Sequence, residues 1–287
     1  MNPILAELIQ LLSLERLEDN LFRGNSHDIG TNRVYGGQVL GQAIKAAQYT
    51  VGDRHVHSLH AYFLRIGDHN APIVYEVERN RDGKSFSSRR VVAIQHDQPI
   101  FTLSASFQAA ESGFEYQQQM PEMPMPEQLE NINTYIGKLV ERAPDNFQHS
   151  TSPLTSFELN PVEPIELEHP SKKQPLRNIW MRTTDKIPDD PALHHSLLAY
   201  ISDFSLLSTN LLPHGIHAFE PALQIASLDH AMWFHRDFRM DEWLLYTCEG
   251  ISSSESRGLA KGRFFSRDGI LVASTMQEGL IRLREVK

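Results

Sequence analysis

The sequence predicts an α+β fold in which one helix followed by an antiparallel sheet occurs twice along the chain. Three observations predict it. The two halves align without gaps when Arg65 is laid on Arg236. Each half reads as a helical segment followed by four segments of strand character. A Pro- and Met-rich stretch, Gln117-Gln-Gln-Met-Pro-Glu-Met-Pro-Met-Pro126, stands between them and has the composition of a connecting segment.

In that alignment His57-Ser-Leu-His-Ala-Tyr-Phe-Leu-Arg65 runs beside Leu228-Asp-His-Ala-Met-Trp-Phe-His-Arg236. Tyr75 meets Tyr246, Glu78 meets Glu249, Ser85 meets Ser256 and Asp97 meets Asp268. Identity between the halves is low. The stronger argument is that strand falls on strand and turn on turn.

The elements follow in order. Ile4, Leu5, Leu8, Leu11, Leu12 and Leu17 recur at the spacing of an amphipathic helix. Gly36 to Ala47 is helical, with Val39, Leu40, Ala43, Ile44 and Ala47 on one side. Strands are expected near 56–65, 72–81, 86–96 and 99–109, joined by the turns Arg65-Ile-Gly-Asp68, Arg81-Asp-Gly-Lys84 and His96-Asp-Gln-Pro99. After the Pro-rich stretch a less regular segment, admitting helix and strand, reaches to about Pro175. A helix is expected over 191–209, where Leu193, Leu197, Tyr200, Ile201, Phe204, Leu207 and Leu211 share a broad face. Strands near 221–235, 242–251, 257–267 and 269–283 complete the second half, with Arg267-Asp-Gly269 as a hairpin turn.

A sheet that wraps a central helix buries the apolar face of each against the other, which is the hotdog architecture. One such unit leaves a sheet edge open, and pairing two units edge to edge covers it. A double hotdog is therefore expected, divided as residues 1–113, a linker region 114–150, and residues 151–287.

Composition bounds the partners. The chain has 287 residues, 40% hydrophobic and 22% charged, which is ordinary for a globular protein. A net charge of −9 disfavours non-specific binding to nucleic acid or an anionic membrane, and an anionic substrate would need a locally basic patch. A single cysteine, Cys248, excludes an internal disulfide and a Cys-based zinc cluster. No run approaches the ~20 apolar residues of a membrane span. The first residues lack the basic region of a signal peptide, so a cytoplasmic protein is expected.

Several motifs are better read structurally. His194-His195 and His214-Gly-Ile-His217 lack the His-Glu-x-x-His arrangement of a zinc site, so no metal is expected. Cys248 replaces Val77 in the aligned halves and reads as a small buried strand residue. A Gly-x-Ser-x-Gly elbow and a phosphate-binding glycine pattern are both missing. Asp203 is less easily dismissed. It falls at the margin of an apolar helical face, beside Ser196, Tyr200 and Leu207. A carboxylate there is costly unless it reaches water or meets a hydroxyl, amide or cation.

Longer motifs carry a resemblance. Phe22-Arg-Gly24, Val34-Tyr-Gly-Gly-Gln-Val39, His57-Ser-Leu-His-Ala-Tyr-Phe-Leu-Arg65 and Arg81-Asp-Gly-Lys-Ser-Phe-Ser-Ser-Arg-Arg90 resemble the acyl-CoA thioesterase II family. So do Asp229-His-Ala-Met-Trp-Phe-His-Arg236, Glu242-Trp-Leu-Leu-Tyr246 and Asp268-Gly-Ile-Leu-Val-Ala-Ser-Thr-Met-Gln-Glu-Gly279. The similarity runs in order over nearly the whole chain and is weakest in the linker and the stretch to about Pro175. It implies a double hotdog that hydrolyses fatty acyl-CoA thioesters to free acid and CoA without metal or prosthetic group. Relatives also imply a homo-oligomer, dimer or tetramer. The resemblance places the family's acid at Asp203, its hydroxyl at Ser227 and its amide at Gln277. Many relatives carry threonine at the hydroxyl position; serine keeps the hydroxyl but not the methyl that restricts its rotamers.

The chemistry suits those three side chains. Asp203 can accept a proton from water as a general base. Gln277 offers both an amide donor and a carbonyl acceptor, and Ser227 can donate to one group while accepting from another. An oxyanion calls for preorganised donors, for which the backbone at the start of a hotdog helix is the candidate, Gly36 and Gly37 among the options; the sequence leaves open which helix supplies it. In the aligned halves Gln277 falls on Ser106 and Ser227 on Val56, so one site per chain is expected, in the second half. CoA phosphates would draw on Arg65, Arg81, Lys84, Arg89, Arg90 or Arg236. Arg89 and Arg90 are adjacent and face opposite sides of a strand. Two other readings remain at this point: a hotdog enoyl-CoA hydratase or dehydratase, which adds water across C=C and spares the thioester, and a non-enzymatic acyl-CoA-binding protein.

Overall fold

The N-terminal apolar spacing forms α1 (Pro3–Leu12), capped by Asn2, whose side chain accepts from the Ile4 N–H at 3.0 Å. The structure, a computed structural model, describes residues 1–29, 32–132, 153–164, 166, 170–218 and 220–284. Helix α1 stops sooner than its spacing suggested. Ser13 takes an extended backbone, and the chain turns into the hairpin β1 (Glu15–Glu18) and β2 (Leu21–Gly24). Leu17 thus lies on a strand and is exposed.

Two buried helices form the centre: α2 (Gly36–Gln48) and α3 (Pro191–Ser202). Both are covered nearly all round: α3 carries apolar residues on most sides, whereas α2 keeps its apolar residues on one side and buries Gln38 and Gln42 through hydrogen bonds to Asn25, Leu11 and Tyr75. They touch each other directly. A Cβ on Gly37 would stand 2.0 Å from the Tyr200 carbonyl oxygen, and one on Gly41 2.9 Å from that of Ser196. Glycines one turn apart on α2 therefore permit the close approach.

Around these helices run β3 (His55–Phe63), β4 (Ile73–Asp82), β5 (Phe86–Gln95), β6 (Gln98–Gln108), β7 (Phe157–Pro161), β8 (Leu176–Thr183), β9 (Leu223–Ser227), β10 (Asp229–Phe234), β11 (Leu244–Ser254), β12 (Arg257–Ser266) and β13 (Leu271–Leu283). Among the described residues they form one antiparallel sheet, ordered β1-β2-β4-β5-β6-β3-β10-β13-β12-β11-β8-β7, with β9 also paired to β13. The order is a palindrome about the β3–β10 pair. There Tyr62 faces Asp229 and Ser58 faces Trp233, so the two units join edge to edge. The same offset that relates Arg65 to Arg236 relates the first residues of β4 and β11, and of β5 and β12. This is the expected double hotdog.

Three local differences from the sequence reading matter. First, α3 was expected to continue to 209 but ends at Ser202, with Asp203 as its C-cap. Ser205 takes a left-handed backbone, φ 70°, and a 3-10 stretch follows from Leu207 to His214. The Ser208 and Thr209 hydroxyls both donate to the Ser205 carbonyl and hold this break. Second, the strand expected near 221–235 is interrupted at Leu228. The Leu228 N–H donates to the Glu278 carbonyl and its own carbonyl accepts from Phe63, which separates β9 from β10. Third, the Pro-rich stretch packs as a strap. Met120, Met123 and Leu129 lie against a small core of Trp180, Trp243, Leu245, Phe265 and Leu271, and the Trp180 indole donates to the Pro124 carbonyl at 2.8 Å. The remainder of the expected linker, 133–150, lies outside the described residues. Strand β8 was not foreseen. Among the described residues no helix is long and apolar enough to cross a membrane.

Candidate active site

The break after α3 and the break at Leu228 together build a polar centre. Ending the helix at Ser202 leaves Asp203 half-buried at its C-terminal end, beyond the regular hydrogen-bonding of the helix. The Leu228 interruption leaves Ser227 as the last residue of β9, paired with Gly279 of β13. Gln277 lies two residues earlier on the same inward face of β13 and is fully buried.

The three side chains meet. The Gln277 amide donates to Asp203 Oδ1 at 2.6 Å and to Ser227 Oγ at 3.0 Å. Ser227 Oγ donates to Asp203 Oδ1 at 3.1 Å. Oδ1 is thus held by an amide and a hydroxyl, which answers how a carboxylate can sit beside an apolar helix. Oδ2 faces the start of α2: a Cβ on Gly36 would stand 2.7 Å from it and 3.0 Å from the Phe63 ring. Gln277 Oε1 is buried and meets no partner among the described residues. It is an acceptor on the same amide that holds Asp203 and Ser227, and buried acceptors ordinarily have a donor.

Helix α2 begins at this centre without a side-chain cap on Tyr35. Its first N–H groups have no intrahelical acceptor, so Gly36 and Gly37 present donors and the positive end of the helix dipole. Tyr35 itself turns inward. Its hydroxyl is buried, and burial, then the Asp203 charge, raises its phenol well above the usual range. Its ring meets that of Tyr200 edge-on at 5.1 Å. Burial pushes the His230 imidazole down to about 4, although the Asp203 carboxylate opposes the shift. On the next residue of β13, the Glu278 N–H donates to Asp229 Oδ1 at 2.6 Å.

An uncharged donor–acceptor network with one carboxylate oxygen left over, facing a helix N-terminus, suits water activation beside a developing oxyanion. Comparisons with known proteins agree in kind. Residues 153–280 match the family model described as acyl-CoA thioesterase, and residues 23–108 the one described as acyl-CoA thioesterase N-terminal domain. Acyl-CoA thioesterase 2 of Haemophilus influenzae is 42% identical, covering 99% of this chain and 100% of its own. This chain belongs to the acyl-CoA thioesterase family. A crystal structure of an acyl-CoA thioesterase II, TesB2, from Mycobacterium marinum is similar at a TM-score of 0.80 and 40% identity, covering 97% of this chain and 99% of that one. A protein with a hot dog fold from Alicyclobacillus acidocaldarius shares the fold, at a TM-score of 0.75 and 18% identity over 96% of this chain and 98% of its own.

Within this family member the corresponding corner of the first half has different chemistry. Helix α2 is C-capped by Tyr49 where α3 is capped by Asp203. Ser106, which aligns with Gln277, lies 2.8 Å from His57 Nε2, and Val56, which aligns with Ser227, is buried. Of the basic residues considered for CoA, Arg89 points inward and bonds Asp82 at 2.6 Å and Thr50 Oγ1 at 2.7 Å, while Arg90 faces out to Glu78. Arg65 donates to the Pro99 carbonyl, and Arg236 to Glu115. His194 accepts from the Met240 N–H, and His195 lies among Phe234 and Phe238. Cys248 is buried in β11, and burial pushes its thiol up to about 12. Tyr35 and His230 were not singled out from the sequence. Each lies within a quoted motif, but a motif does not say which way a ring turns.

Proposed function

We propose that this chain hydrolyses fatty acyl-CoA thioesters to free fatty acid and CoA, with water activated directly by Asp203. The observation that carries this reading is the three-way hydrogen bonding of Asp203, Ser227 and Gln277, at 2.6 to 3.1 Å, with Asp203 Oδ2 and Gln277 Oε1 left over. Gln277 and Ser227 fix Oδ1. Oδ2 takes a proton from water while Gln277 Oε1 accepts the other O–H and aims the oxygen. Attack on the thioester carbonyl forms a tetrahedral oxyanion, stabilised by the Gly36 and Gly37 N–H groups at the start of α2. Collapse breaks the C–S bond. The proton held on Asp203 passes to the departing CoA sulfur, and the free acid leaves.

The test is release of thiol from an acyl-CoA series by the wild type and by Asp203→Asn. The wild type frees CoA. The variant keeps its fold by circular dichroism and loses roughly 10²- to 10⁴-fold in rate. Loss of enoyl absorbance without thiol would mark a hydratase, and binding without turnover a carrier. A folded D203N enzyme at the wild-type rate would contradict the assignment of the base.

We further read the chain as hotdog units 1–113 and 151–287 joined by 114–150, and as a homo-oligomer of the cytoplasm. Exposed Tyr62, Leu64 and Ile66 at the end of β3 support self-association, and a lone, buried thiol suits a reducing compartment. Sedimentation and imaging of a tagged chain test these two points.

A further inference from the structure

Ser202, the last residue of α3, is held from two strands directly and from a third through Tyr246. Its Oγ lies 2.9 Å from His230 Nε2 on β10. Its backbone carbonyl accepts from the Tyr246 hydroxyl on β11 at 3.0 Å. That hydroxyl lies 2.9 Å from Thr275 Oγ1 on β13, two residues before Gln277. All four side chains are buried. Beyond Ser202 the helix stops, so the direction in which Asp203 leaves α3 depends on how this residue is fixed.

We propose that His230 is a positioning residue for hydrolysis: its Nε2–H anchors Ser202 and thereby aims Asp203 at Gln277, Ser227 and the bound thioester. The inference rests on Asp203 as the base. The tautomer follows from counting hydrogens. Ser202 Oγ has one and two possible acceptors for it besides His230: the Ala199 carbonyl at 2.9 Å and the Met232 thioether at 3.3 Å, a weak acceptor. The carbonyl takes it in the usual back-bond of a helical serine. The oxygen then offers a lone pair to His230, so Nε2 carries the imidazole proton and Nδ1 is bare. No protein group meets Nδ1 among the described residues.

A purely structural role accounts poorly for this arrangement. A fully buried imidazole with one unsatisfied nitrogen costs stability that an apolar side chain of similar size would not. Burial also keeps the ring uncharged at neutral pH, so it supplies a donor without placing a cation beside the carboxylate that must accept a proton.

The experiment compares the full-length wild type with H230L, H230Q, S202A, H230L/S202A and D203N, measuring kcat and KM by thiol release and following each melt. H230L and S202A are expected to lower kcat roughly ten- to hundred-fold, because small misplacements of a reacting group cost rates of that order. KM should stay within about twofold, since neither change removes uniform binding. The double variant should be no slower than H230L, because both changes break one bond. H230Q, whose amide N–H can reach Ser202, should recover most of the lost kcat. Wild-type kcat in folded H230L, an H230Q as slow as H230L, or multiplying losses in the double variant would each overturn the proposal. If H230L does not fold, S202A removes the same bond from its other end, and wild-type kcat there overturns it equally. A D203N enzyme at full rate would sink the base assignment instead, whatever the His230 series gives.

Discussion

Asp203 meets its partners through one oxygen and faces Gly36 with the other, and that division gives the residue scale its sharpest test. Gly36→Ala puts a methyl 2.7 Å from Oδ2 and 3.0 Å from the Phe63 ring, so the carboxylate must turn aside. The expected result is a loss of roughly 10²-fold in kcat, read by thiol release, with a melt close to wild type. A folded G36A enzyme at full rate would mean that Oδ2 is not the working oxygen. How much of the centre could be read beforehand varies by residue. No periodicity marks Ser227 or Gln277, since a serine or glutamine in a strand is ordinary. Their order along the chain, matched to a family, singled them out. Asp203 was visible by itself because a charge beside an apolar helical stripe demands an explanation. His230 stayed hidden because its role depends on which nitrogen meets Ser202, and only coordinates supply that.

At the scale of elements, the strands were legible where alternation and turn residues act together. Ile73–Asp82 and Phe86–Gln95 fall within a residue or so of the expected bounds, because outward charges alternate with inward Val, Tyr and Ala. The end of α3 was not legible, because the apolar spacing continues through Leu207 and Leu211 while the backbone reverses at Ser205. Leu228 misled for the same reason, since a one-residue register shift against the same partner, β13, keeps the residue pattern. Strand β8 escaped because Ile179, Trp180 and Met181 are all buried, which erases alternation. The contact between α2 and α3 gives the prediction at this scale. In Gly37→Ala the new methyl would lie 2.0 Å from the Tyr200 carbonyl oxygen, a backbone atom that cannot rotate away. The helices must separate, at a cost of about 1–3 kcal/mol, measured as a lower urea midpoint. An unchanged midpoint would show that the crossing has slack.

At the scale of the whole molecule, three imidazoles among the described residues, His194, His195 and His230, are buried, and burial lowers each of them. Burial lowers His230 to about 4 and His195 to about 3, the latter with help from His55 and His194. In the unfolded chain each titrates near 6.5. Between those values the unfolded state binds more protons than the native one, so stability falls as pH drops. Their contribution is complete above about pH 6.5 and is lost progressively as the pH is lowered toward 4 and then 3. His230 alone accounts for about 3 kcal/mol at most. Melts recorded from pH 7 to 4 should show a steady decline, and a melting temperature constant over that range would contradict the burial of neutral rings. The β3–β10 seam has a consequence of another kind. The acid comes from one repeat, whereas the helix tip facing it comes from the other. Severed at the strap, each piece would carry only part of the proposed reaction centre. Holding both on one polypeptide replaces a chance meeting of two molecules with a fixed tether. With that tether a single chain requires the proposed groups at one corner only: Asp203, Ser227 and Gln277 stand there, while the other helix end and its strands carry Tyr49, Ser106 and Val56.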